Sequence, residues 1–304
     1  MNVESIRKES LELWDKYFHD AHRESQYDKQ FRDFIDKLRK SEEENAETCL
    51  QPWLQIFEDE IQWLSNIWGI LSRKMDGDGG NDALLLSIWS LVSASCNYAV
   101  AVRLLVISGL DNPARSAARS LDEHLCTCIA ILNKPELAAG FQSSQFHEEA
   151  SQFWYKNFNS KKLRKHLNAV ERSVGLEPHI SREFREYRDN ELNYFSQTTH
   201  PTYLSGVFAA NAIDVANTDK VASGVFGKLS ASSERTLNHA CKSIWYFSRF
   251  GFLLLFNDHN GNNPLIELDK EDEMHLMVVI GRDVLQKLNL EYWEYTKYPE
   301  LENS

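Results

Sequence analysis

Apolar residues recur at helical spacing along most of the chain. Leu11, Trp14 and Phe18, then Phe31, Phe34, Ile35 and Leu38, predict one or two amphipathic helices over residues 3–40. Residues 41–47 read as a polar break. Pro52 suits a first helical turn. Trp53, Leu54, Phe57, Ile61, Leu64, Ile67, Trp68 and Leu71 then form a wide stripe that stops before the Asp/Gly-rich residues 76–82. Residues 84–102 carry no charge and are long enough to span a bilayer. They also hold Ser87, Ser90, Ser93, Ser95 and Asn97, and Arg103 follows at once, so the segment is expected to be the central, most buried helix of a water-facing bundle.

Gly109 suits a helix C-terminus. Asp111 or Asn112 caps the next helix, with Pro113 in its first turn and an end near Leu132. Pro135 opens a helix to about Lys156, residues 160–173 form a basic amphipathic helix closed by Gly175, and Ser181 caps a helix to about Gln197. Residues 199–231 are small and nearly uncharged, and predict a long ordered loop with a short helix, or a lid. Ser232 or Ser233 caps a strongly apolar helix, and Asp269 caps a last one to about Leu288. No sustained alternation marks a strand. The expected fold is all-α: a multi-helix bundle with an N-terminal helical extension, residues 1–75 forming a helical layer and residues 82–298 the core domain, or the two together one continuous domain.

The net charge is −12, which repels phosphate backbones and speaks against a DNA coat role. Cys49, Cys96, Cys126, Cys128 and Cys241 are odd in number and scattered, and residues 1–39 lack a secretory apolar core. A reducing, cytoplasmic protein without a membrane span is expected.

No phosphate-binding glycine loop and no Gly-x-Ser-x-Gly elbow occurs. Neither a metal nor a cofactor is expected. On a helix Cys126 points away from His124 and Cys128. Residues 76–82 lack the ligand position and closing glutamate of a calcium loop. The helix after Pro113 carries more chemistry. Arg115, Arg119, Asp122 and Glu123 share one face, opposite Ala114, Ala118, Leu121, Leu125, Ile129 and Leu132. A cation near a helix N-terminus and two like charges one turn apart both call for a compensating acid or bound anion. Arg119 is expected to pair with Glu123. His200, before Pro201, ends its helix where imidazolium is favoured, with Ser196 and Thr202 within reach of its ring. The candidate polar site is therefore Arg115, Arg119, Glu123, Asn193, Ser196, His200 and Thr202, open to a small anion or RNA. Trp245, Tyr246, Phe247, Phe250, Phe252 and Phe256 spread around their helix, which predicts a homodimer covering a second apolar surface.

The run Arg119-Ser120-Leu121-x-Glu123, the turn Asn133 to Leu137, and Ser196 followed by His200-Pro201-Thr202 resemble a group of bacterial all-helical proteins of unknown function, over about residues 84–202. That group is similar to HEPN-type domains, several of which are metal-independent ribonucleases in defence systems. The resemblance implies a bacterial, all-helical protein. The HEPN signature places four to six residues between arginine and histidine. Upstream of His200 those positions hold Asn193, Tyr194 and Phe195, while Arg119–His124 and Arg172–His179 fit the spacing about as often as composition gives by chance. The reading preferred is a binding or regulatory module in defence or stress. The alternative is a ribonuclease with His200 as general acid or base and Arg115 or Arg119 on the phosphate.

Overall fold

The computed structural model describes residues 3–20, 27–79, 82–144, 146–199, 202–257 and 263–298. The described residues form an all-α multi-helix bundle with one two-stranded sheet. The helices are α1 (Val3–Asp20), α2 (Tyr27–Cys49), α3 (Trp53–Lys74), α4 (Ala83–Ile107), α5 (Asp111–Asn133), α6 (Glu136–Ser143), α7 (His147–Asn157), α8 (Ser160–Ser173), α9 (Pro178–Thr199), α10 (Tyr203–Ala210), α11 (Ala231–Phe256) and α12 (Glu273–Glu291). A π-helical turn, Met75–Gly79, follows α3. Strands β1 (Asn211–Ile213) and β2 (Val221–Ser223) pair antiparallel, with Ala212 opposite Ala222.

The centre of the bundle is α11. It packs against α3, α4, α5 and α12. Trp245, Tyr246, Phe247, Phe250, Phe252 and Phe256 are all buried within this one chain. This corrects the expectation that residues 84–102 form the most buried helix. α4 packs between α3, α5, α6 and α11, yet leaves Val100 and Leu104 on the surface. It is the one described helix long and apolar enough to cross a membrane. The spread of aromatics around α11 has its cause in neighbours on every side, so it leaves no uncovered second face on that helix.

Tertiary partners explain other departures from the sequence pattern. α2 runs straight through the polar residues 41–47. Glu42 is buried there and accepts from Lys228 Nζ and Leu229 N, each at 2.9 Å. The helix expected from Pro135 to Lys156 is two helices, α6 and α7. α9 begins before Ser181, whose hydroxyl instead donates to buried Glu171. Asp272 caps α12 in place of Asp269, accepting from Met274 N and His275 N, and holds Arg73 as well. Ser230 caps α11, in a reciprocal box with Ser233. Residues 203–223 fold as a short helix, α10, as expected, followed by a hairpin where only loop was expected. Gly109 ends α4 as expected, at a φ of +68°.

Candidate functional site

α5 is buried on two sides. Ala114, Ala118, Leu121, Leu125, Ile129 and Leu132 pack into the core, as the helical spacing predicts. The opposite, charged face is covered by α9. Burial of that face forces each charge to find an answer.

In the middle of the face Arg119 Nε donates to Glu123 Oε1 at 3.0 Å. Arg119 Nη1 donates to Ser196 Oγ at 3.2 Å, and that hydroxyl donates to Leu192 O. Three of the candidate residues thus meet. Both charged side chains keep about a third of their surface in solvent. Asn193 is exposed, on the far side of α9. Thr202 is exposed too, and caps α10 in a reciprocal box with Ser205. His200 lies outside the described residues. Arg115 points elsewhere: it is buried, with its guanidinium 4.5 Å from the Tyr194 ring and 5.7 Å from that of Phe208.

One turn further along α5 lies a buried polar network. Arg188 Nη2 donates to both oxygens of buried Asp122, at 2.9 and 2.8 Å. Ser243 Oγ donates to the same carboxylate at 3.1 Å. Burial works against the Arg188 cation, but Asp122 and the neighbouring thiol outweigh it and raise its pKa. The Cys126 thiol touches Arg188 and is nonetheless pushed up to about 12 by burial, which removes it as a nucleophile near neutral pH. Buried Glu171 accepts from Tyr246 Oη at 2.7 Å. Arg188, Glu171 and Ser243 were not among the sequence candidates. α9 alternates arginines and acids along a polar helix, and nothing in that pattern shows which of them turns inward.

This network backs a cavity of about 70 Å³ between α5, α7, α8 and α9. Its apolar wall includes Trp154, Phe158, Leu163, Leu167 and Leu192. Its polar groups include Glu123, Asp189, Arg164, Arg185 and Arg188. Arg164 pairs with Asp189. Arg185 Nε is buried and has no hydrogen-bond partner. Apolar walls with a few convergent polar groups are the usual make-up of a small-molecule site.

The described histidines offer little chemistry here. His239 is buried against the rings of Phe195 and Tyr187, neither ring nitrogen has a partner, and burial lowers its pKa. His124 Nδ1 contacts Ser120 O at 2.7 Å, and its ring lies 5.0 Å from that of Tyr98. Among the described residues no group of three or more His, Cys, Asp or Glu side chains is placed to hold a metal ion.

No family model, no curated protein and no solved structure matches this chain.

Proposed function

We propose that the protein is a non-enzymatic binding module, and that its ligand enters the cleft between α5, α8 and α9. The observation that carries this reading is the convergence of both charge signs on one apolar-walled cavity. Glu123 and Asp189 supply acceptors there, and Arg164, Arg185 and Arg188 supply donors. Such a lining suits a small zwitterion better than a polyanion. Glu123 lines the cleft, and Arg119 holds both Glu123 and, through Ser196, α9. The motif resemblance supports a role in bacterial defence or stress.

The test is a titration of the purified protein with free amino acids and nucleosides, and separately its incubation with mixed RNA. Arg119→Ala, Arg185→Met and His200→Ala run in parallel. A small molecule bound at least tenfold more weakly by Arg185→Met, with the RNA left intact, supports a binding module. RNA cleavage abolished in His200→Ala overturns it in favour of the ribonuclease. Binding of none of these probes also counts against the reading.

We also propose that two copies associate through α12. Leu276, Ile280 and Val284 recur every fourth residue, Met277 lies beside them, and all four are exposed. A single stripe of this kind matches itself across a two-fold axis.

A further inference from the structure

The first arginine of α5 lines a second cavity, at the other end of the face that α9 covers. This cavity measures about 170 Å³ and is walled by residues of α5, α9, α10, β1 and the start of α11. The volume is several times the ~15 Å³ that admits one water. Arg115 is 1 % exposed, and its Nε and Nη1 have no hydrogen-bond partner. Three N–H bonds of a buried cation are left without an acceptor, which is costly unless something fills the space beside them.

The neighbouring charges do not meet that need. Arg235 lies 3.8 Å from the Tyr194 ring, and its guanidinium is held by Glu191 through two hydrogen bonds. Asp111 attracts Arg115 but directs its two oxygens to the hydroxyls of Ser230 and Ser233. Burial raises the pKa of Asp111, with Arg115 and the two serine hydroxyls pulling the other way. The N-terminus of α11 opens onto the same cavity at Ser230 and Ser232, and adds its positive dipole end. Around these donors the wall is largely carbon: Tyr194, Phe208, Ala212 and Ile213. Asn112 Nδ2 ties α10 to the start of α5, donating to Ser205 O at 2.9 Å.

From these groups we infer that the Arg115 cavity binds a small organic carboxylate, with its oxygens on the guanidinium and its apolar body against Tyr194 and Phe208. The site is separate from the zwitterion cleft proposed above and stands whether or not that reading holds. A phosphate would satisfy the donors and leave the carbon wall empty. A neutral aromatic would do the reverse.

The test is calorimetric titration with benzoate at fixed ionic strength, beside inorganic phosphate and benzyl alcohol. Benzoate is expected to fill one site, with phosphate and benzyl alcohol each at least tenfold weaker. Arg115→Met is expected to lose at least tenfold in benzoate affinity, and Arg172→Ala, at an exposed arginine of α8 outside the cavity, to bind it as the unsubstituted protein does. Phosphate binding as tight as benzoate, equal binding by Arg115→Met, or no benzoate binding at all would overturn the inference. A second readout covers the case in which Arg115→Met fails to fold. In the unsubstituted protein the Arg115 Nε–H resonance should move as benzoate is added, and a resonance that stays put at saturation refutes the assignment.

Discussion

Arg115 and Arg119 stand one turn apart on α5 and meet different fates. Arg119 is paired, yet a third of it remains in water, along with a similar share of Glu123. Exposed pairs of this kind are worth about 0–1 kcal/mol. Arg119→Ala should therefore lower stability by no more than about 1 kcal/mol in urea unfolding. A loss near the ~3 kcal/mol of a broken buried pair would mean that Glu123 is sealed from solvent. Glu60 is the opposite case. It is fully buried beside Asn289, whose Nδ2 donates to Oε1 at 2.9 Å, and burial pushes its carboxyl well above the usual range. The folded state therefore binds this proton more tightly than the unfolded chain does. Its contribution is intact below the unfolded pKa, near 4.3, and is eroded as pH rises toward the folded value. Glu60→Gln mimics the neutral acid. It should be the more stable form at pH 8, with an advantage that shrinks by up to ~1.4 kcal/mol per pH unit on acidification. Melting curves at pH 5, 6.5 and 8 check this, and a gap independent of pH would refute it.

At the scale of elements, the start of α11 is tied to the turn between α4 and α5. Gly109 takes a left-handed φ of +68°, and a Cβ there would lie 2.4 Å from Lys228 N. Lys228 N in turn donates to Gly109 O at 2.9 Å. An alanine at this position meets both backbone strain and a backbone clash, neither of which a rotamer change relieves. Gly109→Ala should cost at least about 2 kcal/mol, read from the urea midpoint. Ser230→Ala removes the cap of α11 and a donor to Asp111 together. Its expected cost is about 1–2 kcal/mol by the same measurement. The glycine was visible in the sequence, because a lone Gly after an apolar helical run marks a helix end. The serine was misplaced by two or three residues. Ser230, Ser232 and Ser233 lie within one helical turn of each other, and tertiary contacts select which one caps.

For the whole molecule, the search for a dimer surface moves from α11 to α12. The α11 aromatics are consumed inside the chain. The α12 stripe of Leu276, Met277, Ile280 and Val284 is not. Light scattering at micromolar concentration should give twice the 35.2 kDa chain mass, and Ile280→Glu should return it to one chain. A monomer without the substitution would remove the α12 proposal and leave the fold untouched.

Helical periodicity by itself determined the all-α class and the apolar side of α5. It also placed Arg119 and Glu123 one turn apart, close enough to pair. These are local properties, set by 3.6 residues per turn and by side-chain reach within one helix. Tertiary structure decided the rest. It chose α11 over α4 as the central helix, because burial depends on how many neighbours surround a helix and not on its own hydrophobicity. It turned Arg188 and Glu171 inward from two helices rich in charge. It also separated Arg115 from Arg119, since what answers each cation depends on chain segments 77 or more residues away.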